Sequence, residues 1–214
     1  MSKPSIYQVR ITLNDSKPPI WRRVAAPSDI TLGELHEVIQ IAMGWTDSHL
    51  HQFVEYRNPN RPTCKEIQTL PRKALDELTR TPRYFVTKVT PWGAPTEMEG
   101  EDEDAVTLAE VCPKVKSKLI YEYDFGDSWE HTIEVQKIVE PEPGTKYPVC
   151  LAGKKACPPE DCGGVWGYYR LLETIANPKH EDHEDMLEWL GGEFDPDAFD
   201  LEEVNAILAQ WRKG

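Results

Sequence analysis

The order of patterns in the first 56 residues constrains this chain most. Ile6-Tyr-Gln-Val-Arg-Ile-Thr-Leu13 alternates apolar and polar side chains with the period of a strand. Asn14 to Pro19 supplies turn residues, and Ile20-Trp-Arg-Arg-Val24 resumes an extended pattern. Thr31-Leu-Gly-Glu34 then has the form of a capping box, in which the Thr hydroxyl accepts from the Glu34 N–H and the Glu carboxylate reaches back. Leu32, Leu35, Val38, Ile39, Ala42 and Met43 line one helical face, and Gly44 is placed to stop the helix. His49 to Tyr56 reads as the next strand. Strand, strand, helix, strand calls for a sheet with the helix laid across it.

That order looks like the opening of a ubiquitin-type β-grasp domain, and it carries no function by itself. Residues 57 to 83 are a basic, proline-interrupted excursion with a short helix expected around Arg72 to Thr79. Tyr84 to Val89 is a strand candidate. Thr107-Leu-Ala-Glu110 repeats the capping-box pattern for a short helix ended by Pro113. Lys118 to Tyr123 and Trp129 to Val139 form a second hairpin about Asp124-Phe-Gly-Asp-Ser128. Trp166, Tyr169, Leu172 and Ile175 recur at helical spacing, His180 to Leu190 follows as a further helix, and Asp200-Leu-Glu-Glu203 caps a last one. The expected fold is α+β: a β-grasp-like N-terminal part extended by a further hairpin, with about three C-terminal helices packed on the sheet. We read residues 1–214 as one composite domain, with a mixed sheet and one main helix over 5–139, a Cys/Pro loop over 140–162 and a helical part over 163–214.

Charge limits the partners. The chain has 24 Lys and Arg against 37 Asp and Glu, a net −13, which disfavours non-specific binding to DNA. Residues 57 to 88 are the exception at a local +5, and they are the candidate surface for a specific nucleic-acid partner; an unknown protein partner is the other expectation. Glu97 to Asp104 carries six carboxylates in eight positions and reads as a solvated loop. No apolar run has the length of a membrane span, and no signal-peptide core precedes the first strand. Five cysteines without a secretory context point to thiols or metal ligands in the cytoplasm.

Two groups of residues have the chemistry of a site. Cys150, Cys157 and Cys162 could supply three thiolates to a zinc ion, with His131 the preferred fourth ligand. The competing reading is that these cysteines are small buried hydrophobes. The second group is His49, His51, Asp124, Asp127 and His131, which would form a metal-dependent hydrolase or nuclease site if their strands are neighbours. Against it, the Asp124 to Asp127 residues are accounted for by turn chemistry, and a histidine on an apolar strand face is ordinarily a hydrogen-bonded core residue. Glu160 and Asp161 read as caps for the helix that follows. No Gly-x-Ser-x-Gly elbow, Walker loop or dinucleotide fingerprint is present. No recognised catalytic set stands out, so the reading leans away from an enzyme and toward a cytoplasmic binding or accessory protein.

Several segments taken together carry a resemblance: Pro-Pro-Ile-Trp-Arg-Arg (18 to 23), Leu-His-Glu-Val-Ile-Gln-Ile-Ala-Met-Gly-Trp (35 to 45) and Ser-His-Leu-His-Gln-Phe (48 to 53). To these add Tyr-Asp-Phe-Gly-Asp-Ser-Trp-Glu-His (123 to 131), Cys-Pro-Pro-Glu-Asp-Cys-Gly-Gly (157 to 164) and Phe-Asp-Pro (194 to 196). The chain resembles the plasmid pRiA4b ORF-3-like family, whose members also occur as insertion-element passenger proteins labelled TnpR. The resemblance implies an association with plasmids or mobile genetic elements. The label implies a resolvase, but a serine resolvase needs a serine among clustered arginines and a basic DNA-binding end. Here the chain from Glu140 onward holds sixteen acids against seven bases.

Overall fold

The computed structural model describes residues 4–56 and 82–211. The basic excursion, its expected helix and Cys64 therefore lie almost wholly outside the described residues. β1 (Ile6–Leu13) and β2 (Trp21–Pro27) pair antiparallel, with Val9 opposite Val24. α1 (Leu32–Met43) starts at the expected box: Glu34 N donates to Thr31 Oγ1 at 3.1 Å and Thr31 N to the Glu34 carboxylate at 2.9 Å. Gly44 ends it at φ 91°, a left-handed conformation that glycine adopts without strain.

The remaining elements are β3 (His51–Glu55), β4 (Arg83–Val86), β5 (Glu101–Asp102), α2 (Leu108–Val111), β6 (Lys118–Tyr123), β7 (Trp129–Val139), β8 (Val149–Lys154), α3 (Gly164–Ala176), α4 (His183–Trp189) and α5 (Leu201–Trp211). The strands form one sheet in the order β5-β4-β3-β6-β7-β1-β2-β8, antiparallel except where β4 meets β5. The β6–β7 hairpin, expected as an extension, sits at the centre between β3 and β1. Its inner face explains the position: Leu119, Tyr121, Tyr123, Trp129, His131, Ile133 and Val135 are all fully buried. So continuous a buried face belongs in the middle of a sheet.

The 140–162 segment is not a loop throughout. Residues 149–154 form β8 on the free edge of β2, with Cys150 opposite Val24. The segment lacks the alternation that marks a strand, because its place is set by the edge it joins. The acidic run is likewise only partly solvated: Glu101 and Asp102 are in β5, and Glu103 is 3% exposed. Arg83, from the basic stretch, is held by Glu55 at 2.8 Å and Glu101 at 2.7 Å.

The helices pack on the inner face of the sheet. Arg22 projects from β2 beneath α1, 2% exposed, and donates to Ala42 O at 2.7 Å, Trp21 O at 2.9 Å and Lys154 O at 3.2 Å. A cation there also suits the negative end of the α1 dipole. The N-termini of α1 and α2 are tied to each other, since Leu32 N donates to Val106 O at 3.0 Å and Leu108 N to Ile30 O at 2.9 Å. On the far side, the Asn205 side chain of α5 accepts from Cys150 N and donates to Cys150 O, both at 2.9 Å. No helix among the described residues is long and apolar enough to cross a membrane.

Candidate functional site

β3 and β7 begin, and β6 ends, at one end of the sheet, with His51 opposite Tyr123 and Tyr123 opposite Trp129. The loops 45–50, 124–128 and 157–163 gather there. Trp45 anchors the third, donating from Nε1 to Pro158 O at 3.0 Å. Three acidic residues in these loops have left-handed backbone: Asp47 (φ 54°), Asp124 (φ 56°) and Asp161 (φ 58°). Aspartate tolerates that region better than most residues, yet its concentration at one end of the fold marks a constrained site. Asp124 Oδ1 accepts from Gly126 N at 2.9 Å, which is the expected turn chemistry. Asp127 Oδ2 accepts from Gly163 N at 3.0 Å and so caps α3 from a distance. Glu160 and Asp161 are not the caps expected of them. Glu160 instead accepts from the Tyr123 and Thr46 hydroxyls.

His49 precedes β3 rather than lying in it, so it does not share a strand face with His51. The two histidines serve different groups. His49 Nε2 stands 3.2 Å from Asp161 Oδ1 and 3.8 Å from Asp124 Oδ2, shielded from solvent and without a hydrogen bond of acceptable geometry. Zinc with ligand bonds of about 2.0–2.2 Å separates tetrahedral ligands by about 3.3 Å, so these atoms are spaced to surround one ion. Asp161 is the member that sequence reading assigned elsewhere. It lies 112 positions from His49 and 37 from Asp124, so the fold alone brings them together and no spacing rule marks it.

His51 belongs to a buried network. Its Nε2 lies 2.9 Å from Glu103 Oε2, and its ring stacks on His36 at a centroid separation of 3.4 Å with 2° between planes. His36 Nε2 reaches Asp47 Oδ1 at 2.9 Å, and His36 Nδ1 reaches the Tyr121 hydroxyl at 2.8 Å. Burial pushes the His36 pKa down. His36, Asp47 and His51 form the second His/Asp group with ligand atoms close enough for a metal. The stacking opposes joint ligation by the two histidines. An ion in the plane of one ring would stand about 3.4 Å off the plane of the other, beyond a zinc–nitrogen bond of about 2.1 Å.

His131 is fully buried between Tyr121 and Trp45, its Nδ1 3.0 Å from Trp129 O and its Nε2 without a partner. It does not join His49 and Asp124. Nor do Cys150, Cys157, Cys162 and His131 gather their ligand atoms within 4.8 Å; among the described residues only the two His/Asp groups do so. Cys150 faces the core from β8 while Cys162 leads into α3. Burial raises the pKa of both Cys150 and Cys157, and pushes the Cys112 and Cys162 thiols up to about 12.

A cleft of about 290 Å³ opens beside the His49 group, between α3 and α4, and Asp161 is part of its wall. The comparisons with known proteins bear on the whole of this architecture. The family model for plasmid pRiA4b ORF-3-like proteins matches residues 5–203. The chain belongs to the plasmid pRiA4b ORF-3-like family. A relative described as uncharacterized protein y4hQ, from Sinorhizobium fredii (strain NBRC 101917 / NGR234), is 33% identical over 218 residues, covering 98% of this chain and 95% of the relative. A crystal structure of a protein of unknown function, MM3350 from Methanosarcina mazei Go1, has the same fold, with a TM-score of 0.68 and 33% identity, covering 95% of this chain and 97% of that one. In this ORF-3-like chain the Phe-Asp-Pro segment supports the site end as well, since Phe194 packs edge-on against Tyr168 of α3 and Pro196 O accepts from Ala156 N at 3.1 Å.

Proposed function

We propose that this protein is a cytoplasmic accessory protein of plasmids and mobile elements that binds a divalent metal ion, zinc for preference, at His49, Asp124 and Asp161. The observation that carries the reading is the shielded Nε2 of His49, unpaired by hydrogen bonds and set between two carboxylates at 3.2 and 3.8 Å. A neutral imidazole and two carboxylates are a suitable donor set for zinc and neighbouring first-row metals. Four free cysteines among the described residues fit a reducing compartment.

A hydrolytic role for the same site is the second reading, favoured by the cleft that shares Asp161. Three protein ligands leave coordination positions open, which is the arrangement of catalytic rather than structural zinc sites. Zinc titration of untagged protein by calorimetry, with the metal content checked by mass spectrometry, tests the binding. One equivalent is expected in the parent and in Cys157→Ser, and none in His49→Ala or Asp161→Asn. Loss of zinc in Cys157→Ser with retention in His49→Ala would move the site to the cysteine loop.

A further inference from the structure

The cleft between α3 and α4 holds a combination of side chains that metal binding alone does not use. Arg170 stands in its wall, four positions before Thr174 on α3 and therefore on the same helical face. Arg170 makes no hydrogen bond or ion pair among the described residues, although acids outnumber bases by thirteen in the chain. Leu171, Met186 and Trp189 give the cleft an apolar side, and Trp189 is half exposed. Its volume of about 290 Å³ lies at the small end of ligand clefts.

We infer that this cleft binds a small organic phosphate, with the phosphate group between Arg170 and the metal at Asp161 and an aromatic or apolar substituent against Trp189 and Met186. The metal contact rests on the binding site proposed above. A divalent ion with Asp124, Asp161 and the Arg170 guanidinium carries a net +1, which an anion neutralises. Arg170, the Thr174 hydroxyl and the metal are three electrophilic partners. A phosphate offers three acceptor oxygens to match them, whereas a carboxylate offers two. Arginine also fits a phosphate through two parallel N–H bonds.

The test is calorimetric titration of the zinc-loaded full chain with phenyl phosphate, inorganic phosphate and benzoate. Phenyl phosphate should bind more tightly than benzoate. Arg170→Gln should weaken phenyl phosphate by about 10- to 100-fold, the loss of a charge-assisted pair, while zinc affinity stays unchanged. Trp189→Ala should weaken phenyl phosphate and leave inorganic phosphate as it was. Both side chains are surface residues of α3 and α4, so melting temperatures should match the parent. Equal affinity in Arg170→Gln overturns the inference, because the metal alone would then hold the phosphate, and tighter binding of benzoate overturns the choice of ligand. Failure of the metal reading shows separately, as absence of zinc binding in the parent. Phenyl phosphate titrated into that metal-free protein then decides the cleft: an Arg170→Gln loss upholds it, and no loss or no binding removes it.

Discussion

Replacing His131 with Leu should flatten the acid limb of the stability curve. The ring is fully buried, and a carbonyl accepts at Nδ1, so Nδ1 carries the proton and Nε2 presents a lone pair to an apolar surrounding. Charging it would place a cation in a site removed from water and near the Arg22 guanidinium, and burial accordingly pushes its pKa down to about 4. In the unfolded chain the same ring titrates near its ordinary value of about 6.5. Between these pH values the unfolded state binds a proton that the folded state refuses. Stability from the neutral ring is therefore intact above pH 6.5 and drains as the pH falls toward 4. The interval corresponds to about 3 kcal/mol in full and about 2 kcal/mol by pH 5. Urea denaturation at pH 8, 6.5 and 5 on parent and His131→Leu isolates the effect, because His36 and the carboxylates contribute equally to both. The parent should lose about 2 kcal/mol more than the variant between pH 8 and pH 5, a midpoint difference of about 1 M urea at a typical slope. Curves that stay parallel to within about 0.5 kcal/mol would refute the account of this ring as a neutral core group.

Gly164 has φ 67°, and a Cβ there would lie 2.5 Å from Asp127 O. Gly164→Ala should cost about 1–2 kcal/mol in backbone strain alone and, by displacing the 124–128 loop, weaken zinc binding; melting and zinc titration check both, and an unchanged zinc affinity would separate the loop from the site. Glu103→Leu should destabilise the fold by about 3 kcal/mol in urea, since it strips a buried histidine of its carboxylate, whereas a solvated acid would show no change. Tyr121→Phe leaves His36 Nδ1 and Gln40 Nε2 without their shared hydroxyl, and should lower stability by about 1–3 kcal/mol in the same assay; a loss under about 0.5 kcal/mol would count against the network.

The elements legible from sequence are those fixed by neighbours along the chain. Both capping boxes, the two hairpins and the Asp124 turn depend on contacts within a few residues, and Thr31, Thr107 and Asp124 stand as their local patterns require. The site depended on distance. Glu103 sits in a run of carboxylates that looks uniformly solvated, and its burial is decided by His51, 52 positions away. The position of Asp161 just before α3 suggests a helix cap, but Asp127 fills that role from across the fold. Cys150, Cys157 and Cys162 are close in sequence, which leaves open both a zinc set and buried thiols, while strand pairing sets Cys150 opposite Val24 on the edge of β2.

The central position of the β6–β7 hairpin has a consequence for how the chain comes into being. β1 and β3 do not pair with each other, and the strands that join them end at Val139. A ribosome that has released the first 56 residues has made a hairpin, a helix and a lone strand with no common sheet. Their apolar faces must wait exposed until some eighty further residues have emerged, about 4 to 16 seconds at ordinary rates of synthesis. A nascent chain with this strand order should therefore be a client for chaperones until β7 has emerged.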